Sequence, residues 1–482
     1  MSAMKRREFI GALSASAFMS IFGLDARAGE RKLRFGVISD IHVGTGGDDR
    51  DSKSATRFRR ALEYFRDREV DAVMIAGDLT EMGFGEEMQL VADTWFSVFP
   101  NDCGADGRKV ERLFTTGNHD FVGYSYRNRD DKVLQEKYKA RSMSADPAGF
   151  WERYWHEPYS NHFVKTVKGY TFVFSHCFRW GGLDSYLRKL KLDRDRPFFY
   201  CMHYHPRDTV YALPVTTAEA SVTKTLSRYP NAIVFSGHSH RPLNDPSSVW
   251  QGAFTSIATG AVSQIFAGSE VAHENCTKPK GDRTDKRVEE MPRMRLSGGA
   301  VTTLVDVYED RIVLESRSLV HDCKVREDLV LPLPACRDDA SRPYRFAPRR
   351  QTDLPPRFPA NAVLRILDPD KPGKNRNGQE SWQTIVSFPR AQALSGGLRD
   401  YEIVVEKKAE GEWVKVCERR IFAQWFYLPE QKAEELMRKD RLDEQCVLAR
   451  SLLPQNATLR YRVTAFDFWG KRGDTLEALR TR

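Results

Sequence analysis

Five short clusters carry residue types that can hold metals or move protons. They are Asp40-Ile41-His42, Gly77-Asp78, Gly117-Asn118-His119-Asp120, the pair His203 and His205 in "CMHYHP", and Gly237-His238-Ser239-His240. Each follows a short apolar run that reads as a strand, and ligands in layered α/β sheets gather where strands end. Carboxylates, an amide oxygen and imidazoles in one set suit Mn, Fe, Zn or Co, whereas an all-oxygen set would suit Mg or Ca. The D-x-H spacing puts Asp40 and His42 on one side of an extended segment. His238 and His240 share a side only while the chain stays extended; at a turn they diverge towards two metals. Glycines before Asp78, Asn118 and His238 permit the sharp turns that deliver these side chains. The closed, Cys-rich spacing of a structural metal site is absent.

The elements that must position these clusters follow from the apolar patterning. From Leu33 to about Ser318, β-branched runs such as "LRFGVIS", "DAVMIAG", "PFFYCMH" and "NAIVFSG" alternate with amphipathic stretches. In "SATRFRRALEYFRDR", Ala55, Phe58, Leu62 and Phe65 fall near helical spacing. The expectation is a layered α/β domain over residues 30–320 that ends in strands. Residues 268–298 break the rhythm with charge, Pro and Gly, as a surface loop or a cover over the site. A Pro- and Arg-rich stretch, 321–358, reads as a linker. Beyond it, short alternating runs over 359–482 predict a smaller β-sandwich, interrupted by helical "LPEQKAEELMRKD". Its last run, with Tyr461, Val463, Ala465 and Gly470, resembles a fibronectin type III strand pair.

Composition narrows the class. In 482 residues, 41% hydrophobic and 29% charged is the balance of a globular protein. The net charge of +9 is spread along the chain without a basic tract, so nucleic acid is not the expected partner. Residues 1–28 run from Lys5-Arg6-Arg7 through a short apolar stretch to Ala26-Arg27-Ala28, an export signal with an A-x-A cleavage site. Arg6-Arg7 with Phe9 resembles a twin-arginine signal, which implies a periplasmic or secreted product. No segment of the mature chain is long and apolar enough to span a membrane. Of the eight cysteines, Cys177 and Cys201 read as buried small hydrophobes. Cys417 with Cys446, or Cys323 with Cys336, are candidate disulfides.

Taken in order, "DIH … GD … GNHD … H … GHSH" resembles the calcineurin-like metallophosphoesterase superfamily over roughly residues 33–320. That resemblance implies a two-sheet α/β/β/α sandwich and two transition-metal ions (Mn, Fe, Zn or Co). It implies that Asp40, His42 and His240 hold one metal and Asn118, His203 and His238 the other. Asp78 and a hydroxide would bridge them. His119 is implied to contact the phosphate and protonate the leaving group, with Asp120 orienting its ring. A D-R-G continuation of the protein phosphatases is absent after Asp78, and Glu81 stands where purple acid phosphatases place a tyrosine. "GDLTEMG" with "MHYHP" is most similar to the small-molecule phosphodiesterase branch. Hydrolysis of a phosphate mono- or diester is therefore expected, with His205, Arg207 and Arg241 as candidate substrate contacts and Tyr204 and Trp180 as further pocket walls. His205 is expected in a supporting layer or facing the phosphate. The rival reading is an exported glycan- or protein-binding protein with a vestigial phosphoesterase part.

Overall fold

The computed structural model describes residues 27–45, 49–211, 217–267, 294–296, 299–334, 342–374, 378–393 and 395–481. Residues 1–26, most of the stretch read as an export signal, most of the 268–298 segment and Cys336 lie outside them. In chain order, the first half runs β1 (Leu33–Ile38), α1 (Asp49–Arg66), β2 (Ala72–Ala76), α2 (Gly85–Val98), β3 (Glu111–Thr115) and three helices, α3 (Asn118–Arg127), α4 (Lys132–Lys139) and α5 (Pro147–Trp155). Then come β4 (His162–Val167), β5 (Tyr170–Ser175), α6 (Leu183–Lys189), β6 (Phe198–Cys201), α7 (Ala220–Leu226), β7 (Ala232–Ser236), β8 (Val249–Gln251) and β9 (Thr255–Ala258). Strands β10 (Ile265–Ala267), β11 (Met294–Leu296), β12 (Val301–Val307), β13 (Arg311–Ser318), β14 (Cys323–Lys324) and β15 (Leu329–Pro332) complete this part.

These strands form two sheets. One has the order β14-β13-β12-β1-β2-β3, with β15 also paired to β13; the other is β4-β5-β6-β7-β9-β8. Strands β1, β2 and β3 run parallel, as do β5, β6, β7 and β9. The sheets meet face to face because alternate residues of each strand are apolar on that side: Phe35, Val37 and Met74 from one, Phe172, Phe199 and Phe235 from the other. Phe35 meets these three rings edge-on at 5.2, 5.0 and 5.9 Å. On the outer side of the first sheet, Phe58, Leu62 and Phe65 of α1 and Trp95 of α2 cover Ile38, Val73 and Ile75. Leu183, Leu187, Val222 and Leu226 of α6 and α7 cover the outer face of the second. Burial of each such side chain contributes about 1.5–3 kcal/mol. The result is the expected α/β/β/α sandwich, and both sheets turn their parallel strand ends towards one edge.

Residues 321–332, expected in the linker, instead extend the first sheet through β14 and β15, because Val330 and Leu331 have apolar partners in Val313 and Ile312. The Pro/Arg-rich stretch also forms a helix, α8 (Phe346–Thr352). Arg349 on it donates to the Pro246 carbonyl at 2.7 Å and lies over the Trp469 ring. Beyond it lie β16 (Arg365–Leu367), β17 (Gly373–Lys374), β18 (Glu380–Ser381), β19 (Gln383–Phe388), β20 (Leu398–Ala409), β21 (Glu412–Phe422), α9 (Glu430–Asp440), β22 (Glu444–Ala449), β23 (Thr458–Asp467) and β24 (Arg472–Thr481). A three-stranded sheet β16-β19-β22 and a four-stranded sheet β21-β20-β23-β24, antiparallel throughout, enclose one apolar core. That is the expected β-sandwich, with α9 as the decoration. Cys417 and Cys446 form no disulfide: they sit on β21 and β22, in different sheets, as thiols. Cys177 and Cys201 are both fully buried. Among the described residues no helix is long and apolar enough to cross a membrane.

Candidate metal centre

The five clusters leave five parallel strands at their carboxyl ends: β1 leads to Asp40, β2 to Asp78, β3 to Asn118, β6 to His203 and β7 to His238. Sheet order then brings together residues far apart in the chain. His42 Nε2 and His240 Nε2 lie 3.1 Å apart across 198 positions, and His240 Nε2 is 3.1 Å from Asp40 Oδ1. His203 Nε2 is 3.1 Å from Asp78 Oδ2 and 3.0 Å from Asn118 Oδ1. Of the three donor groupings among the described residues, one joins His42, Glu81 and His119, and the other two are Asp40, His42, Asp78 and His240, and Asp78, His203 and His238. Asp78 belongs to both of the latter.

The backbone is bent hard to achieve this. Asp40, His42, Asp78, His238 and His240 all hold φ between 51° and 69°. Left-handed conformers of non-glycine residues cost about 1–3 kcal/mol each and gather at functional sites. Gly77 (φ 87°) and Gly117 make the close approach feasible. A Cβ at Gly117 would collide with the Asp78 carboxylate, and one at Gly77 would meet the His203 ring.

The donor set tests whether cations fit. His203 Nδ1 donates to the Ala76 carbonyl at 2.8 Å and His240 Nδ1 to the Gln264 carbonyl at 2.9 Å. A neutral ring pinned in that way turns a bare Nε2 inwards, as metal-binding histidines do. For His203 that lone pair faces two more acceptors, Asp78 Oδ2 and Asn118 Oδ1. A cation between them, or a proton on Nε2, relieves that meeting. The electrostatics agree. Burial would lower His42 and His203, yet the Glu81 and Asp78 carboxylates hold both up at about 9. Burial would raise Asp40, but the His240 imidazole brings it down to about 2. Asp78, likewise buried, is held well below the usual range by His203 and His119. The site draws in positive charge, and its residues fit a two-cation centre.

Around the donors lie residues that fix them. His42 Nδ1 contacts Glu81 Oε2 at 2.9 Å, and Arg127 pairs with the same carboxylate at 3.3 Å. The role of Glu81 was missed in the sequence, where it had figured only as a departure from a tyrosine motif. The His238 backbone N–H donates to both Asp40 oxygens at 3.0 Å, and the Ser39 hydroxyl donates to Asp40.

Several expectations need correction. Asp120 does not orient His119. Its carboxylate accepts from the N–H groups of Gly117 and Thr80 and from the Thr80 hydroxyl, at 2.7, 2.9 and 2.7 Å, tying the Asp78 loop to the start of α3. His119 Nδ1 instead donates to the Glu81 main-chain carbonyl at 2.7 Å. His205 does not face a phosphate. It is fully buried, with Nδ1 on Ser236 at 2.7 Å and Nε2 on Ser239 at 2.8 Å, and burial pushes it down to about 3. A neutral His205 braces the loop that carries His238 and His240. Arg207 is exposed beyond the clusters, and half-buried Arg241 lies in electrostatic range of Asp245 and Arg399, towards the C-terminal sandwich.

No curated protein matches the chain. Among solved structures it aligns with a dimetal phosphatase from Danio rerio at 14% identity and TM-score 0.35, covering 63% of this chain and 100% of that one. A conserved, predicted phosphoesterase from Streptococcus pneumoniae TIGR4 aligns at 13% identity and TM-score 0.26, covering 63% and 99%. An archaeal phosphodiesterase aligns at 14% identity and TM-score 0.23, covering 55% and 100%. Residues 33–242 match the family model for calcineurin-like phosphoesterases. That span contains every donor of both clusters, and the chain thus carries a calcineurin-like metallophosphoesterase domain.

Proposed function

We propose that the protein hydrolyses small phosphodiesters at this centre, with Asp40, His42 and His240 holding one cation, Asn118, His203 and His238 the other, and Asp78 both. The observation that supports this best is the pair of donor clusters sharing Asp78. Two cations bound there would lower the pKa of a shared water and offset charge on the transferring phosphoryl group. His119 is the group placed to move a proton. With Nδ1 occupied by the Glu81 carbonyl, its Nε2 is the exchangeable nitrogen, on a ring 21% exposed beside Asp78. The mixed nitrogen and oxygen donors favour Mn, Fe, Zn or Co over Mg or Ca.

Turnover of bis-p-nitrophenyl phosphate against p-nitrophenyl phosphate, with Mn²⁺ supplied, tests the reading. Diester turnover should exceed monoester turnover. Asn118→Ala and His238→Ala should each lower it by on the order of 10³-fold with the circular dichroism spectrum unchanged. Absence of turnover with any of the four metals would sink the proposal. We also read residues 1–28 as a twin-arginine export signal that delivers the folded protein to the periplasm or beyond. Replacing Arg6 and Arg7 by Lys should leave the chain in the cytoplasm on cell fractionation. The three- and four-stranded sheets over residues 365–481 support a fibronectin type III-like module.

A further inference from the structure

The ends of β5 and β6, together with α3, bring aromatic side chains to one flank of the metal centre. Tyr126 lies on α3 eight residues after Asn118, on the same helix face, and Asn118 Nδ2 donates to its hydroxyl at 3.3 Å. Its ring is 5.0 Å from that of His119. Tyr204 stacks on His238, ring centroids 3.9 Å apart at 24°. Phe178, three residues past the end of β5, lies 6.0 Å from Tyr204, and Trp180 backs the same ring at 5.5 Å. Tyr126 on Asn118 and Tyr204 on His203 and His238 thus both flank the same group of donors. The flank beside Glu81 is different, carrying the Glu81–Arg127 ion pair.

Two features mark this wall as a surface for a ligand. Phe178 is 46% exposed and Tyr126 37%, so both present ring surface beside the centre. Phe178 is also held at φ 61°, a left-handed conformation uncommon for a bulky residue and found where ligands are clamped. Strand β5 neighbours β6, so Phe178 leaves the sheet at the same edge as His203.

We propose that Tyr126, Phe178 and Tyr204 form a subsite for an aromatic ring on the substrate's ester group, which makes the substrates phosphoesters of ring-bearing alcohols, aryl or nucleoside. This rests on the hydrolytic reading above. Tyr126 and Tyr204 touch Asn118 and His238 directly, so a phosphate seated on that side brings its substituent against these rings. A planar ring can stack or meet them edge-on, which a saturated ring of similar size does less well.

Calorimetric titration of the Mn²⁺-loaded full chain with phenylphosphonate, cyclohexylphosphonate and methylphosphonate reads the preference without turnover. Phenylphosphonate should bind about tenfold tighter than cyclohexylphosphonate. Phe178→Ala should erase that difference and leave methylphosphonate binding unchanged. Phe178→Leu, which keeps apolar area but no ring, should behave like Phe178→Ala. AMP against ribose 5-phosphate forms a second pair. A preference confined to this pair assigns a nucleoside, and one confined to the phosphonates assigns an aryl ester. Equal binding within both pairs, or a preference that survives Phe178→Ala, overturns the subsite. Diester turnover is measured in parallel. Its absence beside an intact ring preference overturns the hydrolytic reading and leaves the subsite standing, whereas no binding of any phosphonate or phosphate overturns both.

Discussion

The two-sheet body and the C-terminal sandwich both bury charged groups, and only the metal centre departs from the arginine pairing seen elsewhere, as of Asp306 with Arg34 at 2.6 Å in the body. In the sandwich, two of the buried carboxylates meet arginines. Asp400 is paired with Arg420 and with Arg399 at 3.2 Å, and Glu444 with Arg390 at 3.2 Å. At the metal centre, Asp40 and Asp78 have histidines as their charge partners instead of arginines. A guanidinium keeps its charge at any ordinary pH, whereas an imidazole can give up its proton and offer a lone pair to a cation. Burial of charge alone therefore does not mark a site here; a counter-charge that a cation can replace does. Backbone geometry follows the same division. The body's left-handed residues include five candidate ligands, while those of the sandwich, Glu410, Trp425, Arg441 and Asn456, lie between its regular elements.

That contrast can be broken by experiment. The largest effect should come from Arg420→Leu, which takes from Asp400 one of its arginine partners. A broken buried pair of this kind costs about 3 kcal/mol, and urea unfolding should show it while bound metal stays unchanged. Loss of metal together with stability would mean that the two regions are not independent. A smaller effect is expected from Glu81→Gln, because Glu81 holds the His42 ring and is not among the residues assigned to either cation. Metal retention in a chelator titration should weaken by about 10–100-fold, with the metal-free unfolding midpoint little changed. The smallest concerns pH. Burial raises the Asp467 carboxyl to about 7 in the fold. Its folded pKa exceeds its unfolded value, so the native state keeps a proton that the unfolded chain has lost. Stability should then fall as pH rises from about 4 to about 7 and level off above. Asp467→Asn should flatten that slope in thermal unfolding; an unaltered slope would assign it elsewhere.

Much of the site was readable in the sequence because its signals are local. An apolar run followed by Gly-Asp or Gly-Asn-His-Asp says both that a strand ends and that a polar group is delivered there. Three features were not readable. Asp120 looked like the partner of its neighbour His119, but the start of α3 turns its carboxylate onto backbone N–H groups instead. Glu81 had no motif of its own, since its partner His42 lies 39 residues away. Residues 321–332 looked like linker because Pro and Arg dominate the stretch that follows, yet β13 offers them an edge to pair with. In the sandwich, Tyr461, Val463 and Ala465 alternate inwards as expected and are fully buried, since the period of two is itself local.

"CMHYHP" shows the division most clearly. By itself the sequence determined the donor types, their order and the strand ends that deliver them, because side-chain chemistry and hydrophobic period belong to neighbouring residues. It could not apportion work between His203 and His205, which share residue type and lie two positions apart. Tertiary structure decided that. The end of β6 places His203 beside Asp78 and Asn118, which follow the ends of β2 and β3, while His205 meets Ser236 at the end of β7 and Ser239 in the loop after it. The physical reason is distance along the chain. Pairing Ala76 with His203 spans 127 residues, and His42 with His240 spans 198, so only the order of strands in two packed sheets sets which lone pairs converge.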